Sequence, residues 1–349
     1  MLRLRKLEVD CMKLLLTAVL AWSLVVVKAH GEEIESVNVY SFREAKLIAP
    51  IIERFSQATG IKVNVVSGKA DKLLNRLIKD GDNSFADVLL TTNVARLEKA
   101  KQLGLLQPID SVYLKTHVPA PLRDRQGYWH GLSIRARAIF YARDKVNPAS
   151  ITRYRDLTAS QWQGRICTRK GSHIYNRSML ASFVALHGQA SAKRWTQGLV
   201  ANLAMRPTGG DRDQLRNINS GKCDLAIANS YYYGMMSQSA SQQDREVYAN
   251  LGVIWPEQAG AGTHVNISGA AITSAAKNKQ NAQAFIEFLL TEQAQEMYAD
   301  INHELPIRRD IQASGLVGSW GDFKGDIDSV QQLYSHLAAA DSIIADTSW

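Results

Sequence analysis

The sequence predicts an α/β protein built from two lobes, and two observations favour this class. Strand-like apolar segments alternate with segments of helical periodicity from Val37 onward, which is typical of a mainly parallel sheet covered by helices. The chain has 349 residues, enough for two lobes that each bury a core. Because the sequence shows no low-complexity linker, we expect the chain to cross between the lobes more than once.

The first thirty residues have the pattern of a targeting segment. An apolar run over 14–27 follows a basic start and precedes a small-residue cleavage site at Val27-Lys28-Ala29. Such a run is too short to span a membrane as a helix, and it has the length of a signal-peptide core. We therefore predict a signal peptide over 1–29, with Met12 as an alternative start and 1–11 as an upstream extension. An uncleaved membrane anchor is the alternative.

Composition and motifs argue against several classes of function. The net charge is +8, and it falls to +5 without the predicted signal peptide. The sequence has no basic tract with interleaved aromatic residues, so we do not expect nucleic acid as a partner. It also lacks GxSxG, HExxH and the glycine-rich phosphate motifs, so we predict a protein that is not an enzyme.

Hydrophobic patterning predicts the following elements. The first part of the chain contains three strands at 37–42, 61–66 and 87–91, and each precedes a helix that a glycine ends, at Gly60, Gly81 and Gly104. A loop at 128–131 and a polar turn at 171–176 interrupt the later pattern. Further strands are predicted at 134–141, 165–168, 224–228, 252–255 and 265–273, and further helices at 179–186, 195–199, 282–290 and 294–299.

Three consecutive tyrosines, Tyr231 to Tyr233, stand where a strand ends and a helix can begin. The preceding Asn229 and Ser230 are residues that cap helices well. In open α/β sheets this edge is where ligands bind. One interpretation is core packing of the rings. The other is a hard, highly charged metal cation, which drives coordinating phenols to their anions.

Two cysteines, Cys167 and Cys223, lie outside the predicted signal peptide, and each borders a strand-like run. In an oxidising compartment they can pair. Buried free thiols are the equal alternative. Their spacing does not match a CxxC motif, and no Cys/His cluster indicates zinc.

Several short segments resemble a known family when they are taken together and in order. They include Val39-Tyr40-Ser41-Phe42-Arg43-Glu44, Ala86-Asp87-Val88-Leu89-Leu90-Thr91, Ile174-Tyr175-Asn176, Ala228-Asn229-Ser230-Tyr231-Tyr232 and Gly262-Thr263-His264-Val265-Asn266. The family is that of the periplasmic iron(III)-binding proteins of ABC transporters, the ferric-binding proteins and their cyanobacterial relatives. The resemblance covers nearly all of 37–308.

The resemblance implies a two-lobed periplasmic binding protein of type II, similar to transferrin, with a hinge of crossing strands near 133–139 and 265–271. Lobe 1 would comprise 30–133 and 267–349, and lobe 2 would comprise 134–266. Such a protein works in the periplasm as a monomer, binds Fe³⁺ in the cleft and delivers it to an inner-membrane ABC permease. A receptor of the same fold for a phosphonate, a polyamine or thiamine is the alternative.

The resemblance also implies roles for individual residues. Tyr175, Tyr231 and Tyr232 match the iron ligands of the family. Arg43 and Arg137 match arginines that hold a synergistic carbonate in some members. Tyr233 falls at a variable position, so we expect it to pack in the core.

One position departs from the family pattern. Many members carry a His-Tyr pair directly after the first arginine, where this chain has Glu44 and Ala45. Glu44 is therefore either an additional ligand of a hard cation or a helix cap. Tyr40, in the first strand, either lines the cleft or belongs to the core.

Overall fold

The computed structural model describes residues 35–313 and 315–349, so the predicted signal peptide lies outside the described residues. The strands are β1 (Ser36–Ser41), β2 (Lys62–Ser67), β3 (Val88–Thr91), β4 (Leu106–Gln107), β5 (His130–Ala142), β6 (Ile166–Cys167), β7 (Leu225–Asn229), β8 (Leu251–Ile254), β9 (Thr263–Thr273), β10 (Leu305–Pro306) and β11 (Gly325–Asp326).

The α-helices are α1 (Ala45–Thr59), α2 (Ala70–Asp80), α3 (Val94–Gln102), α4 (Val112–His117), α5 (Ile174–His187), α6 (Gln189–Ala201), α7 (Asp211–Asn219), α8 (Ser230–Ser237), α9 (Gln242–Asn250), α10 (Lys279–Phe288), α11 (Glu292–Asn302), α12 (Gly315–Gly318) and α13 (Leu337–Thr347). Short 3-10 helices occur at Gly81–Asn83, Ala120–Leu122, Pro148–Ser150, Tyr154–Thr158, Ser160–Trp162 and Val330–Gln332. Among the described residues, none of the helices has both the length and the apolar character that crossing a membrane requires.

The main sheet is mixed, with the strand order β2-β1-β3-β9-β5-β7-β6. β1 is parallel to β2 and β3, and β6 is parallel to β7. The pairs β3–β9, β9–β5 and β5–β7 are antiparallel. The first three predicted strands, β1 to β3, form the parallel set that the alternation predicts, and the antiparallel pairs arise where β9 and β5 join that set. Hydrophobic patterning could not reveal this, because a strand covered on both faces is apolar in either direction.

The long strand β5 joins the two parts of the sheet. Residues from His130 to Ala136 pair with β9, and residues from Arg137 onward pair with β7 and β8. β9 in turn pairs with β3 on its other side. This arrangement has the form expected of crossing hinge strands at 133–139 and 265–271. The lobe boundaries stay a prediction, since Ser36–Trp349 forms one compact unit.

Most predicted elements are present, and two are wrong. Gly60 ends α1 as predicted, in the left-handed region at φ 74°, where glycine pays no steric penalty. The predicted loop at 128–131 is wrong because β5 already begins at His130. The predicted turn at 171–176 is wrong because α5 begins at Ile174, and the His173 ring accepts a hydrogen bond from the Tyr175 N–H as its cap.

The segment after 308, which the resemblance does not cover, packs across the molecule. α13 lies against α5 and α6. Asp341 pairs with Arg177, and the Asp346 carboxylate lies 2.7 Å from the Lys193 ammonium. This part of 267–349 therefore contacts helices of the range predicted for lobe 2.

Cys167 and Cys223 form a disulfide, with their Cα atoms 5.9 Å apart. Cys167 ends β6, and Cys223 lies two residues before β7, so the bond joins two neighbouring strands of the sheet. Both residues are buried. Of the two alternatives, the structure therefore has the paired form.

Replacing both cysteines, Cys167→Ser with Cys223→Ser, should lower the free energy of unfolding by about 4 kcal/mol, because the bond closes a loop of 56 residues' separation. Urea unfolding of the oxidised protein, the reduced protein and the double variant measures this. The reduced wild type should match the variant, which should not respond to dithiothreitol. The prediction would be contradicted if the reduced wild type and the double variant both unfolded at the same urea concentration as the oxidised wild type.

Candidate metal site

A cavity of about 120 Å³ lies beside the first turns of α5 and α8. Side chains distant in the sequence meet here. The cavity is lined by residues that include the three predicted ligands Tyr175, Tyr231 and Tyr232, together with Arg43, Glu44, Arg135, Arg212, Met235 and Glu304. Arg137 and Tyr40, which were also candidates, are not among its lining residues.

The three phenols converge from the starts of two helices. Tyr175 lies in the first turn of α5, and Tyr231 and Tyr232 lie in the first turn of α8, directly after β7. The hydroxyl oxygens of Tyr175 and Tyr231 are 3.2 Å apart, and the ring centroids of Tyr231 and Tyr232 are 4.1 Å apart. Helix N-termini stabilise negative charge, so both helices favour the phenolate forms.

Burial acts in the opposite direction on Tyr231 and Tyr232. Burial raises the pKa of Tyr231 well above its usual value, and the neighbouring Tyr175 and Tyr232 raise it further. The pKa of Tyr232 is raised by burial first and by Tyr175 second. At neutral pH these phenols therefore keep their protons unless a cation replaces them.

Two arginines of the cavity lining that were not candidates in the sequence face the phenol rings. The Arg135 guanidinium carbon lies 5.7 Å from the ring centroid of Tyr175 and 5.9 Å from that of Tyr231. The Arg212 guanidinium carbon lies 5.5 Å from the ring centroid of Tyr232. Both Nε atoms are buried without a hydrogen-bond partner within the described part of the chain. The signal available for Arg135 was a basic residue in the strand predicted to cross between the lobes.

Arg43 lies at the cavity but is already engaged by a carboxylate. Its two terminal nitrogens donate to the two oxygens of Glu304, at 3.0 and 2.9 Å, and one of them also donates to the Ser268 hydroxyl at 2.7 Å. Burial opposes ionisation of Glu304, but Arg43, Arg135 and the hydrogen bond from Ser133 together outweigh it, and the pKa of Glu304 is lowered. Sequence analysis missed Glu304, because no local motif marks a residue that lies 261 positions from its partner.

Arg137 does not line the cavity, and its guanidinium makes several hydrogen bonds to neighbouring side chains. Its guanidinium donates to the side chains of Asn176, at 2.9 and 2.6 Å, Asp211, at 3.0 Å, and Asn229, at 2.9 Å. The Asp211 carboxylate also accepts from the Asn229 N–H and from Arg169. The carbonate role of Arg137 therefore stays a prediction. The contacts that Arg137 makes in the structure link α5 and β7, the elements next to the tyrosines.

The remaining candidates have distinct surroundings. Glu44 lines the cavity, is exposed, pairs with Lys46 at 3.3 Å and makes no side-chain capping bond to α1. Tyr40 is buried, with its ring edge-on to Phe85. The Tyr233 hydroxyl lies 2.7 Å from the Leu251 carbonyl oxygen, and its ring packs on Phe140, as expected for a core residue.

Phenols are the metal donors that this arrangement offers. Among the described residues, no group of three His, Cys, Asp or Glu side chains is placed to hold a metal ion. Three phenolates would supply three negative charges and hard oxygen donors. That combination suits a small, highly charged cation, whereas soft metals select thiolates.

The crossing strands and the polar cleft define a solute-binding protein of the two-lobed type. The chain belongs to the bacterial extracellular solute-binding protein family, whose profile matches residues 83–316. It is similar to iron uptake protein A1 of Synechocystis sp., with 40% identity over 319 residues, which is 91% of this chain and 88% of that protein.

Two solved structures are also similar. The Trichodesmium protein IdiA (FutA), in complex with iron and citrate, has a TM-score of 0.87 and 37% identity over 90% of this chain and 99% of that chain. The ferric binding protein of Campylobacter jejuni has a TM-score of 0.84 and 39% identity over 89% and 99%. The predicted type II fold and the prediction of a binding protein rather than an enzyme are thereby confirmed. At the level of the family, the protein is an extracellular solute-binding protein of bacteria.

Asp211→Asn should lower the free energy of unfolding by ~3–5 kcal/mol, because it leaves the Arg137 charge buried without its carboxylate. Chemical denaturation of the apo protein measures this loss. Asp346→Asn is the control, since it breaks the exposed pair with Lys193 and should cost at most about 1 kcal/mol. Equal losses in the two variants would show that the Arg137 pair is not important for stability.

Proposed function

We propose that this protein binds Fe³⁺ in the cleft between its two lobes through Tyr175, Tyr231 and Tyr232, and delivers it to an inner-membrane ABC permease. The observation that carries the proposal is the convergence of three phenols in one cavity, with Oη atoms of two of them 3.2 Å apart. Similarity to proteins named for iron uptake and ferric binding supports the cargo.

The chemistry of the site supports a trivalent ion over a divalent one. To bind a cation, Tyr231 and Tyr232 must each lose a proton whose pKa burial has raised. Only a cation with a strong field at short range can replace these protons and offset the repulsion among three phenolates. Fe³⁺ has that field, and phenolate oxygen is a hard donor that suits it.

A synergistic carbonate at Arg43 belongs to the proposal. The forked donors of Arg43 now contact Glu304, so the guanidinium must exchange this carboxylate for carbonate to bind it. Arg137 would have to release Asp211 in the same way. A titration with ferric ion in the presence and in the absence of bicarbonate distinguishes carbonate binding at Arg43 from retention of the Arg43–Glu304 pair. A bicarbonate requirement supports the exchange, and equal affinity would assign the anionic role to Glu304.

Closure and assembly complete the proposal. β5 and β9 act as the hinge, and iron selects the closed arrangement in which Arg43 and Glu304 meet the tyrosines. In this proposal the protein works as a monomer, and one chain supplies all three phenols. A protein that stays colourless with iron but is stabilised by a phosphonate, a polyamine or thiamine would favour the alternative cargo.

Tyr231→Phe with Tyr232→Phe should abolish the phenolate-to-iron charge-transfer band, because two of the three charged donors are lost. A visible spectrum during titration with ferric citrate measures the band, which should saturate at one iron per chain in the wild type. Tyr233→Phe is the matched control: its hydroxyl bonds to the Leu251 carbonyl, so the band should persist. A band retained in the double variant would reject the assignment of the ligands.

Iron binding should weaken as pH falls and release protons at neutral pH. The pKa values of Tyr231 and Tyr232 are raised above the usual value of about 10, so both phenols are protonated in the apo protein and must deprotonate to bind. The band should therefore be lost on acidification from about pH 8 to about pH 5 in the presence of a competing chelator. A pH-independent affinity, with no proton uptake or release in a pH-stat, would contradict phenolate ligation.

A further inference from the structure

The chain that follows α11 packs tightly against the helix that carries the paired tyrosines. The His303 side chain lies over Gly234, which is in α8 two positions after Tyr232. A Cβ atom added to Gly234 would lie 2.6 Å from both Cβ and Cγ of His303. Only glycine therefore fits at 234 while His303 keeps this position.

His303 holds this position in an unfavourable backbone conformation. It has φ 53° and ψ 35°, in the left-handed region where glycine is the usual residue at a helix C-terminus. Its ring is buried, and Nδ1 has no hydrogen-bond partner among the described residues. Histidine is among the residues that tolerate this region, but neither the backbone nor the hydrogen bonding of Nδ1 requires it, whereas its ring makes the contact with α8.

The next residue connects this contact to the site. The Glu304 carboxylate pairs with Arg43, accepts hydrogen bonds from Ser133 of β5 and Ser268 of β9, and lines the tyrosine cavity. Residues 303 and 304 therefore touch the tyrosine helix, both predicted hinge strands and the first βα turn.

We propose that His303 is a positioning residue that sets the approach of α8, and with it Tyr231 and Tyr232, to the Arg43–Glu304 pair. The proposal rests on the proposed ferric function. α11 lies in the range predicted for lobe 1 and α8 in that predicted for lobe 2, so the contact forms when the lobes are together. His303 thereby slows iron release by stabilising the closed arrangement.

A double-mutant cycle with His303→Gly and Gly234→Ala tests this. His303→Gly removes the ring and suits the left-handed backbone, and it should speed transfer of iron to a chelator by about tenfold and shift the charge-transfer band. Gly234→Ala should have a similar effect because it displaces His303. The double variant should release iron more slowly than the product of the two single effects predicts, because the new methyl group occupies space that the ring has left.

The thermal midpoint of each apo variant separates positioning from packing. Unchanged release rates and an unchanged band in His303→Gly, with a lowered apo midpoint, would overturn the proposal and assign His303 to the core. If Gly234→Ala does not fold, His303→Gly alone decides the matter. A wild-type protein that develops no band with iron would instead reject the proposed function, which is a distinguishable outcome.

Discussion

The buried ion pair between Arg137 and Asp211 holds together the parts of the molecule that carry the phenols. One guanidinium, on β5, contacts Asn176 in the first turn of α5, Asp211 at the start of α7 and Asn229 at the end of β7. Taking these charges out of water costs several kcal/mol per ion, and the cost is offset only when the remaining donors are satisfied. Here each nitrogen of the guanidinium has an acceptor. The first turns of α5 and α8, which carry the three tyrosines, are thereby held in position relative to the Arg137 guanidinium.

This rigidity matters because burial disfavours the charged, phenolate form of Tyr231 and Tyr232 while no cation is bound. Burial raises the pKa of Tyr231 and Tyr232, so their charge appears only when a cation supplies enough attraction to remove the protons. The same burial that penalises ionisation also strengthens the attraction between phenolate and cation, because the local dielectric is low. A metal site built in this way would discriminate by ionic charge as well as by ligand type.

How much of this could be predicted from sequence differed from residue to residue. The Tyr231–Tyr232 pair was predictable, because a strand end followed by capping residues and a helix is a local pattern. Tyr175 was selected by resemblance, although the turn predicted for it is the first turn of a helix. Glu304 could not be selected, since its role depends on a partner 261 positions away that only the fold brings close. The antiparallel pairing of β5 and β9 was missed for a related reason, because patterning reports burial and not direction.

The positions of Arg135 and Arg137 show how strand crossing creates the site. They are two residues apart on β5, and side chains at that spacing share a face of a regular strand. β5, however, changes partner between Ala136 and Arg137, from β9 to β7. Arg135 therefore lies on the segment that pairs with β9, and it lines the cavity. Arg137 lies on the segment that pairs with β7, and it hydrogen-bonds to the residues next to the tyrosines, Asn176 and Asn229. The predicted hinge and the candidate site therefore share the same few residues of β5. In the proposed closure, a change in the crossing of β5 and β9 would change the distance between Arg135 and the phenols, and it would thereby couple the movement of the lobes to the electrostatics of the cleft.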